Sequence, residues 1–214
     1  MSPEAQLFPE LTSESLNRIA EHGTVRSYPR HAVLIHEGDR TDAFYIILGG
    51  KVKVYASDED GKEIILNIQG PGEYFGELAL IDSAPRSASV MTMEPSKIAV
   101  ISRADFERCL ADNPSIAIEL IRSLAQRVRS LTESVKSLAL LDVYGRVART
   151  LLDLAKEEDG VLAVRQRLTH QDIANMVGAS REMVSRIMKD LVNGGYIHIA
   201  DRVITIRQKL PPGW

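Results

Sequence analysis

The chain has 214 residues, of which 44% are hydrophobic and 26% charged, and a formal net charge of −3. This composition is ordinary for a globular protein and leaves room for two modest domains. Because Cys109 is the single cysteine and the five histidines show no ligand spacing, internal disulfides, redox pairs and cysteine-cluster metal sites are excluded, and we expect no metal. No apolar run approaches the roughly 18 residues of a membrane span and the N-terminus lacks a signal-peptide pattern, so we expect a cytoplasmic protein without a membrane partner.

The first part of the chain is predicted to be one helix followed by many short strands. Residues 11–22 have the apolar spacing of a helix. Between residues 24 and 103, β-rich runs are separated by turn residues, and Lys51–Tyr55 alternates polar and apolar side chains as a half-buried strand does. Many short strands at close intervals indicate a small antiparallel barrel or roll, which we assign to residues 1–112.

Residues 113–141 are predicted to form a long dimerisation helix. Apolar residues recur at alternating spacings of four and three, which is the a/d seam of a coiled coil. β-Branched residues at a and mostly leucine at d favour a parallel pair of helices, so we expect a homodimer. The alternative is a stripe that packs against its own domain. The seam consists of Ala117, Ile121, Leu124, Val128, Leu131, Val135 and Leu138.

The last third of the chain, residues 142–214, begins at a predicted hinge. Asp142 is suited to cap a new helix over residues 143–156, so the hinge is placed at Leu141 and Asp142. The acidic run at residues 157–160 is predicted to be a solvated loop.

Charge separates this last third from the rest of the chain. Residues 143–214 carry 11 Lys and Arg against 8 Asp and Glu, a net charge of +3, whereas residues 1–142 carry a net charge of −6. A basic end beside an acidic remainder fits contact with nucleic acid at one end only.

Two short helices separated by a glycine predict a helix-turn-helix. Thr169 and Asp172 match the capping pattern that starts the first helix. Gly178 supplies the positive φ that the turn requires, and Ser180 caps a second helix that ends near Leu191. Two short β-rich runs follow, joined by Ala-Asp-Arg, and they predict a terminal hairpin and hence a winged helix.

The second of these helices presents a polar face suited to the major groove of DNA. Arg181 and Glu182 in the first turn, and Arg186 one turn later, point away from the apolar face. Arginine pairs with guanine and glutamate accepts from cytosine, at the helix end that reaches base edges. The alternative is a solvated Glu182–Arg186 ion pair. With three candidate phosphate contacts and the cap added, the predicted DNA-binding residues are Thr169, His170, Ser180, Arg181, Glu182, Arg186 and Lys189.

Residues 75–89 read F-G-E-L-A-L-I-D-S-A-P-R-S-A-S. Gly76 permits close backbone approach, and the amides that open a short helix at residues 78–81 can hold an anion. Arg86 offers a permanently charged, planar fork for a phosphate. The segment closely resembles the phosphate-binding cassette of cyclic-nucleotide-binding domains. With the helix-turn-helix, nearly the whole chain resembles the cyclic AMP receptor and fumarate–nitrate regulator family of bacterial transcription regulators.

The resemblance implies an α+β fold in three parts. These are a cyclic-nucleotide-binding β-roll of the double-stranded β-helix or jelly-roll type, a long dimerisation helix and a winged helix-turn-helix. It further implies a homodimer that binds double-stranded DNA and RNA polymerase, catalyses no reaction, and takes an allosteric cyclic nucleotide but no other cofactor. The implied ligand contacts, with Glu77 on the ribose 2′-OH, are Gly76, Glu77, Leu78, Ala79, Arg86, Ser87 and Thr132.

Two motifs resemble the cyclic-AMP-sensing branch of that family. They are S-R-E-x-V-x-R-I in the second helix of the helix-turn-helix and L-L-D-V-x-G-R at the hinge. Arg181, Glu182 and Arg186 match the set that reads G-T-G-A in that branch, which implies TGTGA-type half-sites and cyclic AMP as the effector.

One departure from the branch leaves the effector open. Its cyclic AMP sensors carry adjacent Thr-Ser on the dimerisation helix, where this chain has Leu131-Thr132. Leucine cannot hydrogen-bond a base, although Thr132 can. The alternatives are cyclic GMP or cyclic di-GMP as effector, a ligand-independent regulator in which Glu77 and Arg86 form an internal ion pair, and a cyclic-nucleotide-regulated subunit of another effector. The single cysteine excludes the iron–sulfur cluster of the oxygen-sensing branch, and no nucleotide-hydrolase, dinucleotide or catalytic-triad motif supports an enzyme.

Overall fold

The computed structural model describes residues 11–158 and 160–211, with the side chain of Glu158 left out. They form two compact units that divide within one long helix, between Arg127 and Val128. The first unit contains α1 (Ser13–Ala20), β1 (Thr24–Tyr28), β2 (Val33–Ile35), β3 (Ala43–Gly49), β4 (Val52–Ser57), β5 (Glu63–Gln69), β6 (Tyr74–Phe75), α2 (Glu77–Asp82), β7 (Ser89–Thr92), β8 (Ser96–Ser102), α3 (Arg103–Asp112) and the first half of α4 (Pro114–Leu140). The second unit contains the rest of α4, then α5 (Val143–Leu154), β9 (Lys156–Glu158), β10 (Val161–Val164), α6 (His170–Val177), α7 (Arg181–Asn193), β11 (Ile197–Ala200) and β12 (Val203–Ile206).

Two antiparallel four-stranded sheets build the first unit, in the orders β1-β8-β3-β6 and β2-β7-β4-β5. Only β4 and β5 are consecutive strands that pair with each other, so the chain crosses repeatedly from one sheet to the other. This double-stranded roll, followed by the long helix and a helix-turn-helix, confirms the predicted α+β fold class.

Apolar side chains fill the roll on both sides of the sheet that contains β3. Ile47 and Ile98, both fully buried, belong to a cluster between the strands, whereas Phe44 joins a cluster with α1, α3 and α4. There Phe44 stacks on Tyr74 and Phe106 at ring-centroid distances of 5.3 and 4.7 Å. Aromatic stacking therefore packs α3 on the roll, beside the strand that leads into the cassette, and Ile116 and Leu120 at the start of α4 are buried in the same cluster.

The predicted alternation over Lys51–Tyr55 is wrong in its second half. The pairing register of β4 with β5 shifts between Val54 and Tyr55. Val52 and Tyr55 are both buried, whereas Val54 is half-buried. The shift skips Leu66, so the extra residue of this bulge lies in β5, and no local sequence signal marked it.

The predicted junction between α4 and α5 has the expected local structure. Helix α4 ends at Leu140, and the Asp142 carboxylate accepts a hydrogen bond from the Gly145 amide at 2.7 Å, as an N-cap does. Helix α5, however, ends at Leu154, so the prediction of helix to residue 156 was too long. The solvated loop predicted at residues 157–160 is also wrong in part, because Lys156–Glu158 pairs antiparallel with β10.

The second unit has the predicted helix-turn-helix with a wing. Helices α5, α6 and α7 enclose a core with the sheet β11-β12-β10-β9. Strands β11 and β12 are joined by Asp201 and Arg202, both with positive φ, which is the geometry of a tight two-residue hairpin. The core residues that are at most 1% exposed include Val147, Leu151, Ile173, Ala174, Val177, Val184 and Leu191.

Candidate ligand and nucleic-acid sites

Gly76 is the backbone feature on which the cassette is built. It is the N-cap of α2 and has φ 86°, a left-handed conformation that glycine adopts without strain. A Cβ atom at this position would lie 2.9 Å from Nη1 of Arg86 and 3.0 Å from the Ala43 carbonyl oxygen. Glycine is therefore required both by the turn and by the close approach of Arg86.

Arg86 is buried, at 4% exposure, and each nitrogen of its guanidinium donates a hydrogen bond. The acceptors are the Gly76 carbonyl at 2.6 Å, the Ala43 carbonyl at 2.8 Å and the Thr41 hydroxyl at 2.9 Å. Burial lowers the pKa of the guanidinium, and the nearby Tyr45 and Asp42 oppose that effect. All three protein acceptors are neutral, so a fixed positive charge is held here without a bonded carboxylate.

Glu77 is 3% exposed and forms an ion pair with Arg127, whose Nη1 donates to its carboxylate at 2.7 Å. Arg127 also donates to the Tyr74 carbonyl at 3.2 Å and lies 4.6 Å from the centre of the Tyr74 ring. Burial raises the pKa of Glu77, and the charge of Arg127 opposes the rise. The alternative of a direct Glu77–Arg86 ion pair is wrong, because the partner of Glu77 is Arg127.

Arg127 contacts Glu77 at this site and was not predicted from the sequence. It is half-buried on α4, 50 residues from Glu77 along the chain. In the sequence, Arg127 lies off the apolar seam, as the solvent-exposed arginines of a charged helix do. Only the packing of α4 on the roll brings its side chain to the cassette.

The structure brings Gly76, Glu77 and Arg86 together, whereas the other predicted ligand contacts differ in their exposure and in the element that carries them. Ala79 is buried on α2, whereas Leu78 is 44% exposed. Ser87 is exposed on the segment that follows α2. Thr132 belongs to the second unit, where its side chain is exposed and its hydroxyl donates to the Val128 carbonyl at 3.0 Å.

The helix-turn-helix has the caps that the sequence predicts. The Thr169 hydroxyl accepts from the Asp172 amide at 3.1 Å, and the Asp172 carboxylate accepts from the Thr169 amide at 2.8 Å. Gly178 ends α6 with φ 62°, and the Ser180 hydroxyl accepts from the Met183 amide at 3.2 Å. The hydroxyls of Thr169 and Ser180 therefore cap α6 and α7, and both side chains are exposed to solvent.

One face of α7 is polar and exposed, opposite the buried Val184, Ile187 and Leu191. Within the described ranges, no ion pair joins Glu182 to Arg186, so the alternative of a solvated pair is not supported. His170, at the start of α6, is half-buried. The exposed side chains line a shallow concave surface and are Arg181, Glu182, Ser185, Arg186 and Lys189.

Comparisons with known proteins match both units of the chain. The family model for the cyclic nucleotide-binding domain matches residues 25–113, and that for the Crp-like helix-turn-helix domain matches residues 145–210. The chain belongs to the CRP/FNR family of transcription regulators.

Similar CRP/FNR regulators come from several bacteria. A CRP-like cAMP-activated global transcriptional regulator of Mycobacterium tuberculosis is 38% identical over 183 residues, which cover 84% of this chain and 82% of that protein. The cAMP-activated global transcriptional regulator CRP of Pasteurella multocida is 37% identical over 196 residues, 90% of this chain and 94% of that protein. A solved structure of the c-di-GMP responsive global regulator CLP of Xanthomonas campestris has a TM-score of 0.77 at 29% identity, covering 92% of this chain and 99% of that one.

Membership in the CRP/FNR family establishes the kind of protein this is. It joins a cyclic-nucleotide-binding domain to a DNA-binding helix-turn-helix, and it belongs to a family of transcription regulators and not of enzymes. In the part of the chain that the structure describes, no helix is both long and apolar enough to cross a membrane.

Proposed function

We propose that this chain is a cyclic-nucleotide-responsive regulator that binds specific DNA sequences as a homodimer, with cyclic AMP as its effector. The observation that carries the proposal is the buried pair of opposite charges at the cassette. Arg86 and Glu77 are 4% and 3% exposed and do not bond each other, and Arg86 donates to the carbonyl of Gly76, the residue before Glu77. Buried charges are costly to hold, so their retention beside a glycine turn favours a bound ligand with complementary groups.

The cyclic phosphate and the ribose are assigned to different residues of the cassette. Arg86 binds the cyclic phosphate and Ser87 adds a hydroxyl hydrogen bond. Glu77, held by Arg127, accepts from the ribose 2′-OH. The backbone at Gly76, Leu78 and Ala79 completes the cradle, and Thr132 is left to contact the base.

The effectors of similar proteins and the presence of Leu131 on α4 both bear on the identity of the base. Relatives 37% and 38% identical to this chain are described as cAMP-activated, which favours cyclic AMP. Leu131 offers no hydrogen bond to a base, and a regulator of similar structure is described as c-di-GMP responsive. Cyclic di-GMP is therefore the second candidate effector.

DNA recognition is assigned to the exposed face of α7. Arg181 and Arg186 each pair with a guanine, and Glu182 accepts from a cytosine, within half-sites of the TGTGA type. Lys189, Thr169 and His170 contact phosphates, with Ser180 at the helix N-terminus beside them. All of these are exposed except His170, which is half-buried.

The homodimer is argued from the seam of α4. In the single chain, Val128, Leu131 and Val135 are 63%, 57% and 64% exposed. An apolar stripe of this kind is buried when a second copy pairs with it. We assign ligand binding to residues 1–112, dimerisation to 113–141 and DNA binding to 142–214, in a cytoplasmic protein whose further partner is RNA polymerase.

Coupling between ligand and DNA follows from this arrangement as a two-state equilibrium. Ligand at Glu77 and Arg86 contacts α4 at Thr132, changes how the two copies of α4 pair, and re-aims both α7 helices through the hinge at Asp142. A ligand shifts such an equilibrium only by its differential affinity for the two states, on the order of 1–3 kcal/mol in typical allostery.

Titration calorimetry on the purified protein tests the ligand. Cyclic AMP, cyclic GMP and cyclic di-GMP are titrated separately, and we expect heat with cyclic AMP. Arg86→Ala removes the partner of the cyclic phosphate in a desolvated charge pair. This costs about 2–5 kcal/mol of binding free energy, a loss of about thirtyfold or more in affinity. Arg40→Ala, which removes an exposed arginine of the same chain, is the matched control.

Two outcomes of the calorimetry contradict the proposal. Absence of heat with every cyclic nucleotide would make the chain a ligand-independent regulator. Heat with cyclic di-GMP alone would leave the cassette as the site but replace the effector. Circular dichroism of Arg86→Ala, with Arg86→Lys as a charge-retaining second variant, separates lost binding from lost folding.

A further inference from the structure

Helix α2 is too short to hold its own position. It has six residues, Glu77–Asp82, and no basic residue in its last turn. A helix of this length is marginal in water, and its last carbonyl groups have no partners within the helix. Its first residue, Glu77, is nevertheless a buried carboxylate to which the ribose is assigned. Something outside α2 must therefore fix its position.

Arg103, the first residue of α3, makes the missing contacts. Its Nη1 donates to the Leu80 carbonyl at 2.8 Å, and its Nη2 donates to the Ala79 carbonyl at 2.8 Å. Nη2 also lies 3.1 Å from the Asp42 carboxylate. The Arg103 side chain is 27% exposed, so these are partly sheltered, charge-assisted hydrogen bonds.

Asp42 connects this arrangement to Arg86. The Arg103 amide donates to the Asp42 carbonyl at 3.1 Å, in addition to the side-chain contact. The residues on either side of Asp42 are the acceptors of Arg86, namely the Thr41 hydroxyl and the Ala43 carbonyl. Three consecutive residues therefore hold Arg86 directly and α2 through Arg103.

We infer that Arg103 is a positioning residue for nucleotide recognition, which sets Glu77 at a fixed place relative to Arg86 by anchoring the far end of α2. The inference rests on the proposed function, in which Arg86 binds the phosphate and Glu77 the ribose 2′-OH. Arg103 does not touch the ligand in this arrangement. Its loss displaces the ribose contact and leaves the phosphate contact in place.

The ratio of two dissociation constants measures this effect. Cyclic AMP and 2′-deoxy cyclic AMP differ only in the hydroxyl that Glu77 accepts from. The dissociation constant of the 2′-deoxy ligand divided by that of cyclic AMP therefore reports the ribose contact alone, and it exceeds one when that contact is made. For Arg103→Ala we expect cyclic AMP affinity to fall roughly tenfold, 2′-deoxy cyclic AMP affinity to change little, and the ratio to approach one. A general loss of stability would weaken both ligands equally.

Three further variants sharpen the test. Arg103→Lys keeps the charge but lacks the planar fork that bonds two carbonyls, so its ratio should be intermediate. Asp42→Asn removes an exposed carboxylate, at 67% exposure, and should lower the ratio in a folded protein. Arg108→Ala removes an exposed arginine of the same helix, paired with Asp105, and should keep the wild-type ratio.

The outcomes separate this inference from the function on which it rests. A wild type that binds no cyclic mononucleotide, or that does not discriminate the 2′-deoxy ligand, overturns the proposed role of the cassette and this inference with it. A discriminating wild type with unchanged ratios in Arg103→Ala and Asp42→Asn overturns the inference alone. If Arg103→Ala does not fold, Asp42→Asn decides.

Discussion

The carboxyl group of Glu77 is almost completely buried and forms an ion pair with Arg127. Burial disfavours the ionised form, so the pKa of Glu77 is raised above its ordinary value of 4.5. A group that binds its proton more tightly when folded stabilises the folded state fully below its unfolded pKa. That contribution is lost as the pH rises through the folded pKa.

In the ligand-free protein, ionisation of Glu77 should therefore lower the free energy of unfolding as the pH rises. Glu77→Gln cannot ionise, so its free energy of unfolding relative to wild type should increase as the pH rises from 4.5 through the folded pKa. The change is about 1.4 kcal/mol for each unit by which the pKa is raised. Urea unfolding across this range measures it, and Glu59→Gln, an exposed carboxylate in the turn after β4, controls for loss of a charge. A difference that stays flat with pH would contradict the raised pKa.

At the scale of single elements, the roles proposed for α7 distinguish a residue that reads a base from one that binds phosphate. Glu182→Ala should relax one position of the half-site and leave its neighbours readable, because a good base contact provides roughly 1–3 kcal/mol of discrimination. Lys189→Ala should weaken all sequences alike and flatten the salt dependence of binding. Site selection from random DNA with ligand present measures both. An unrelated motif, or an unchanged one from Glu182→Ala, would remove α7 from this role.

Elements were predictable from sequence where a local interaction defines them. Caps at Asp142, Thr169 and Ser180 use side chains within three residues of the amide they bond, so their sequence pattern carries the structure. The strand Lys156–Glu158 was missed because its partner β10 provides the pairing, and its own acidic composition favours a loop.

The candidate site divides in the same way. Gly76, Glu77 and Arg86 lie within one short motif and were recognised together. Arg127, Thr41 and Arg103 reach the cassette from other elements. The contacts of Arg127 and Arg103 depend on how α4 and α3 pack on the roll, and the contact of Thr41 depends on the course of the segment before β3. Neither has a signature in the spacing of residues along the chain.

At the scale of the whole molecule, the seam of α4 should decide the oligomeric state. Val135→Glu places a charge at an apolar contact in both copies and forfeits the burial of two valines, each about 1.5–3 kcal/mol when complete. We expect the dimer to dissociate at micromolar chain concentrations in analytical ultracentrifugation. Ser134→Glu, the adjacent exposed position off the seam, should leave the dimer intact. A dimeric Val135→Glu would place the contact elsewhere.

If the exposed stripe on α4 pairs two copies as proposed, the activity of the regulator depends steeply on how much of it a cell contains. While most chains are single, the amount of dimer rises with the square of the chain concentration, so halving synthesis removes three quarters of the DNA-binding species. Pairing of the seam also protects the folded state by mass action. A scarce chain is then both inactive and more open to degradation, which sharpens the threshold below which its target genes no longer respond.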